Sequence, residues 1–114
     1  MSEDTPEPVE AQLATFDDLL AIAGPVEVQA VTLSTGKVVK VRGMTRFEIH
    51  LGGKDTDDAA VIESRNLSYG LVEPKITAAQ ALHWMKTAPA GGDVARISRA
   101  IRDLSGLGPG ADKS

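Results

Sequence analysis

The side chains best suited to chemistry are few and poorly spaced for it. His50 and His83, the only histidines, lie 33 residues apart. Neither has a carboxylate or a second imidazole at the i, i+4 spacing that puts two metal ligands on one helix face. Surface or boundary histidines are the expectation. Asp57 and Asp58 are adjacent, so on a helix or turn their carboxylates diverge and make a poor acid and base pair. Helix capping is their expected role. The chain has no cysteine, which removes disulfides, thiolate zinc sites, iron-sulfur clusters and cysteine nucleophiles. It carries no G-x-S-x-G elbow, phosphate loop or G-x-G-x-x-G, and Gly52-Gly53 and Gly91-Gly92 fall where helices start or stop. These observations predict a non-catalytic protein with no metal and no cofactor.

Residues suited to binding are better placed. Arg96, Arg99 and Arg102 recur every three positions, a basic stripe that suits an acidic partner or phosphates, or else a solvated face with an Arg99 to Asp103 pair. Tyr69 and Trp84 are the large amphipathic aromatics in a chain with two phenylalanines besides. Such residues serve interface centres or a core short of aromatics. Ile62 lies seven positions before Tyr69, on one side of a helix whose other side is also apolar. Ile62, Tyr69, Trp84, Arg96 and Arg99 are therefore the candidate partner-binding residues.

The elements that position them belong to one domain. A chain of 114 residues, 42% hydrophobic and 25% charged, is long enough to bury one core and too short for two domains. Its aromatics are few, so the core is expected to be aliphatic. Net charge is -4, and Glu3, Asp4, Glu7 and Glu10 supply it with no base among residues 1–10. The remainder is neutral, which argues against nucleic acid as a partner. Pro6, Pro8 and the acids predict a disordered tail over 1–12, followed by a single α+β domain over 13–107 and a flexible tail over 108–114. With no signal peptide and no spanning apolar run, a soluble cytoplasmic protein without membrane contacts is expected.

Thr15 and Asp18 frame a short helix that ends at Gly24-Pro25. Val26 to Leu33 and Lys37 to Arg42 read as a β-hairpin around Ser34-Thr35-Gly36, with Val31 opposite Val39 and with Lys40 and Arg42 on the wet face. Thr45 and Glu48 form a capping box, with Met44 placed to staple onto Ile49, for a helix that stops at Gly52-Gly53. A central helix follows, capped by Asp57 or Asp58. Ala60, Ser64, Leu67 and Leu71 share one of its faces, and Glu73-Pro74 ends it. Thr77 and Gln80 cap the next, with Ala78, Ala81, Leu82 and Met85 inward, Trp84 at the edge and His83 outward. The last, about Asp93 to Ser105, buries Val94, Ile97, Ile101 and Leu104 and ends in a left-handed cap at Gly106. The prediction is α+β, mostly helical: a short N-terminal helix, a β-hairpin, then about four helices.

Two stretches carry a family resemblance. They are Ile62-Glu63-Ser64-Arg65-Asn66-Leu67-Ser68-Tyr69-Gly70-Leu71-Val72-Glu73-Pro74 and Val94-Ala95-Arg96-Ile97-Ser98-Arg99-Ala100-Ile101-Arg102-Asp103-Leu104-Ser105-Gly106-Leu107. With the hairpin Val31 to Thr45, their order and spacing resemble the tail assembly chaperones of long-tailed, siphovirus-like bacteriophages over about residues 30–107. The resemblance implies a hairpin, a helix ending in a Glu-Pro or Asp-Pro element, a helix with a proline-glycine break, and a last helix ending in Leu-Ser-Gly. It also implies a non-catalytic, non-structural protein of virion assembly, acting in the host cytoplasm and absent from the mature virion. Its partners would be the tape-measure protein, the tail-tube protein and, by self-association, its own copies. A longer frameshifted form is common in that family, and the glycine-rich end suits such a junction. The alternative is a small helix-turn-helix-like DNA-associated regulator using residues 77–105. Its recognition helix would start with Asp93-Val94-Ala95, which puts a negative charge toward the groove.

Overall fold

The structure is a computed structural model and describes residues 12–23 and 27–107. Five helices and a three-stranded antiparallel sheet lie among these residues: α1 (Phe16–Ala23), β1 (Val28–Thr32), β2 (Val38–Arg42), α2 (Arg46–Gly52), α3 (Ala59–Gly70), β3 (Leu71–Glu73), α4 (Ala78–Thr87) and α5 (Asp93–Leu104). This is the α+β, mostly helical class that the periodicities predict. Residues 1–11 of the tail expected over 1–12, the tail expected over 108–114 and the Gly24-Pro25 stop lie outside the described residues.

The local signals fold as their chemistry requires. Thr15 and Asp18 each accept from the other's backbone N–H at the start of α1, at 3.2 and 2.8 Å. Complete capping boxes open α2 at Thr45 with Glu48 and α4 at Thr77 with Gln80, and the Asp58 carboxylate accepts from the Ala60 amide at 2.9 Å to open α3. In the hairpin Gly36 takes φ +90° and Val31 pairs with Val39, so Val31, Val39 and Val41 point inward. The outer face carries Lys40 but also exposed Val28 and Val38. At the end of α5, Leu107 N–H bonds the Arg102 carbonyl and Gly106 N–H bonds that of Asp103, with Gly106 at φ +80°. That is the Schellman pattern.

One boundary differs from the sequence expectation. The central helix does not run on to Glu73-Pro74 but stops at Gly70, and Leu71–Glu73 forms a third strand paired antiparallel with β2. Gly70 lies against the Ile101 side chain, where an added Cβ would overlap it. Leaving the helix there lets Leu71 pair with Val41 and bury its side chain on the inner face of the sheet. Tertiary pairing overrides the helical continuation that the apolar period suggests.

The sheet order is β1-β2-β3, and α3 lies at the centre, packed against α2, α4, α5 and β3. Val31, Val39, Val41, Met44, Leu67, Leu71, Ala81, Val94, Ile97 and Ile101 form one buried cluster. It contains no aromatic residue, as the composition implies. Tyr69 and Trp84 pack on its rim.

Polar links tie distant segments together. Ser34 donates from its amide (3.0 Å) and hydroxyl (2.8 Å) to the Asp93 carboxylate, and Arg96 bonds both that carboxylate at 2.8 Å and the Thr32 carbonyl at 3.1 Å. The hairpin loop is thereby fastened to the start of α5. The Ser34 hydrogen bonds, helped by Arg96, hold Asp93 below the usual carboxylate range. Arg42 and Glu48 form a two-pronged pair at 2.9 and 2.6 Å that joins β2 to α2. This hydrogen-bonded pairing lowers the Glu48 pKa and raises that of Arg42.

Candidate partner-binding surface

The five candidate residues fall on separate parts of the molecule. Ile62 lies on α3 and lines a cleft of about 370 Å³ between α3 and α5, together with Met44, Leu67 and Ile101, with Glu63 and Arg102 also on its wall. Glu63 crosses to α5 by accepting from the Ser98 hydroxyl at 2.8 Å. Beyond this bond the surface continues into a shallower depression that includes Arg99, Arg102 and Asp103. Ile62 and Arg99 therefore line neighbouring depressions that share Glu63, Ser98 and Arg102.

Trp84 and Arg96 lie at a different site. Trp84 borders a depression that Ser34, Pro89, Gly91 and Arg96 also line. It also lines a cleft of about 300 Å³ with Leu33, Val39, Leu71, Ile76 and Ile97. Here the inner face of the sheet meets α4 and α5 and the core opens to solvent. Tyr69 is half-buried against the core cluster and lines neither cleft. The pairing of Ile62 with Tyr69 on one partner-facing side becomes, in three dimensions, one groove residue and one core-rim residue.

The arginine stripe is partly occupied by local bonds. Arg96 is held on Asp93 and the Thr32 carbonyl, and Arg102 donates to the Leu107 carbonyl at 3.1 Å. Arg99 forms no ion pair among the described residues, including the one with Asp103 that its i, i+4 spacing suggests. The first residue of α5 is Asp93, held ionised, which opposes a phosphate or base edge at that end.

Spacing alone did not reveal several residues that shape these clefts. Leu33, Met44 and Ile76 lie in connecting segments and Ile101 on α5, and no periodic signal marks residues that meet only after folding. Asn66 was likewise unmarked. It lines the α3–α5 cleft, and its Oδ1 is buried without a hydrogen-bond partner, close against Gly52. An unpaired buried acceptor costs about 1–3 kcal/mol.

Both histidines are exposed, and among the described residues no group of three or more His, Asp or Glu side chains is arranged to hold a metal ion. Among the described residues no helix is long and apolar enough to cross a membrane. Set beside known proteins, the chain matches no family model, no curated protein and no solved structure. The arrangement thus speaks through its own chemistry: two apolar clefts with sparse polar edges, suited to burying apolar side chains of another segment.

Proposed function

We propose that this protein is a tail assembly chaperone of a long-tailed bacteriophage. In this reading it binds the tape-measure protein in the host cytoplasm, keeps it soluble, assists tail-tube assembly around it and does no catalysis. The observation that carries the reading is the open apolar cleft between α3 and α5 on an otherwise neutral domain. A tape-measure chain presents long apolar helical stripes, and a helix laid in such a groove buries them by anchors at i, i+3, i+4 and i+7. The residues that carry the resemblance supply the walls. Ile62 and Leu67 come from the first stretch, and Ile101 and Arg102 from the second.

The test compares Ile62→Ser with Leu67→Ala in a pull-down against the tape-measure protein encoded nearby. Ile62→Ser is expected to weaken capture at least tenfold while leaving the thermal midpoint within a few degrees. Leu67→Ala, in the core, is expected to lower the midpoint strongly. Full capture by a folded Ile62→Ser protein would remove the α3–α5 groove from the proposal. Salt-dependent retention of the protein on DNA, with no capture, would favour the regulator instead.

A further inference from the structure

Most of the exposed large apolar side chains among the described residues fall into two groups. Leu13, Phe16, Leu19, Leu20 and Ile22 belong to α1 and its approach, and Val28 and Val38 to the sheet. On α1, Phe16, Leu19 and Leu20 lie within about 100° of helix circumference, with Asp17 and Asp18 off that stripe. In the sheet, Val28, Ala30, Thr32, Val38 and Lys40 are all exposed. They alternate with buried Val31, Val39 and Val41, so they share the face turned away from the core. The inner face is packed by α3 and α5. The outer face along β1 and β2 is bare among the described residues.

The two groups match in position, length and charge. Four residues separate Ala23 from Val28, within the two to six that join a helix to the strand it covers. Their span of up to ~17 Å exceeds the separation of about 10 Å between packed layers. A connection this short turns α1 back antiparallel along β1. The eight residues of α1 run about 12 Å, close to the ~14 Å from Val28 to Thr32. In that alignment Leu20 lies over Ala30, and the first turn of α1 lies over Val38, which pairs with Thr32. Asp17 and Asp18 in that turn then approach Lys37 and Lys40, and Lys40 is held only by an exposed pairing with Glu73 at 3.8 Å.

We infer that α1 is a strap that closes over the outer face of its own sheet, laying Phe16, Leu19 and Leu20 against Val28, Ala30 and Val38. The short connection keeps α1 at an effective concentration on the order of millimolar, so its own sheet meets it ahead of another molecule's. Length opposes closure, because a helix of eight residues is marginal alone and must be ordered as it docks. The strap is therefore poised and not locked, and it adds little to global stability. Closed, it hides both apolar groups; open, as in this structure, it offers them together to a partner. The device does not rest on the chaperone reading.

The absence of cysteine gives a direct test on the full chain. Leu20→Cys is combined with Ala30→Cys on the outer face in one protein and with Ile76→Cys in the Trp84 cleft in another, and each is mildly oxidised over a wide dilution series. A disulfide within one chain is expected to form at least tenfold faster with Ala30→Cys than with Ile76→Cys, at a rate independent of dilution. Adding Phe16→Ser with Val38→Ser, both at exposed positions, is expected to slow it at least tenfold with an unchanged circular dichroism spectrum. Faster closure onto Ile76→Cys, a disulfide that forms between chains in preference to within one, or a rate indifferent to the two serines would each overturn the inference.

Discussion

Helices α1 and α5 have the same kind of sequence and opposite surroundings. Both are capped or bounded by local signals and both carry apolar side chains along one stripe. In α5 those side chains, Val94, Ile97 and Ile101, are among the most buried in the molecule, beneath β2 and α3. In α1 the equivalent stripe of Phe16, Leu19 and Leu20 is open to solvent. Amphipathicity states that a face needs covering and leaves unstated what covers it. For α5 the cover is this chain's own sheet and central helix; for α1 none of the described residues provides one.

That contrast is broken most sharply in the core. Ile97→Ala and Ile101→Ala are expected to lower stability by about 2–5 kcal/mol each, measured by urea unfolding. The corresponding change at Leu20, which is exposed, should stay within roughly 0.5 kcal/mol of wild type. If Leu20→Ala proved as costly as Ile97→Ala at low protein concentration, α1 would be part of the monomer's core.

Close approach of α3 to α5 gives the next effect. Gly70→Ala forces a methyl into the Ile101 side chain, an overpacking cost of about 1–3 kcal/mol. Pairing it with Ile101→Val should return part of that loss. Additivity of the two changes would mean that the contact does not limit packing.

The Arg42 and Glu48 pair gives a smaller, pH-dependent effect. Arg42 lowers the Glu48 pKa below its ordinary 4.5, so the stabilisation is fully present above that value and is lost as pH falls through the folded-state value. Arg42→Met is expected to cost about 1–2 kcal/mol at neutral pH and to flatten the acid limb of the stability profile. An unchanged acid limb would assign it to other carboxylates. The smallest effect expected is in α1, where Phe16→Asp with Leu20→Asp, both at exposed positions, should alter unfolding by no more than roughly a few tenths of a kcal/mol.

Legibility in the sequence follows the range of the interaction that decides each feature. The capping boxes at Thr45 and Thr77, the hairpin register through Val31 and Val39, and the Gly106 cap depend on residues within a few positions of one another, and each is readable. The third strand depends on Leu71 finding Val41, thirty residues back, and the local period there suggests helix. Of the candidate site, Ile62 was readable as an apolar side chain on the far side of its helix and Trp84 as one at the edge of its stripe, and each lines a cleft. Tyr69 was read on the same side as Ile62 and packs on the core, because the neighbour that covers a side chain is not encoded beside it. Arg96 was readable as a charge, but its bond to the Thr32 carbonyl depends on a residue 64 positions away.

The most direct measurement is co-expression of the full chain with the tape-measure protein from the same genomic neighbourhood, scoring the soluble fraction of the latter. The account predicts that the tape-measure protein moves from the pellet to the supernatant and co-purifies with this chain. It also predicts that Ile62→Ser removes both effects while the variant itself stays folded. A folded wild-type protein that leaves the tape-measure protein in the pellet and does not co-purify with it would contradict the account.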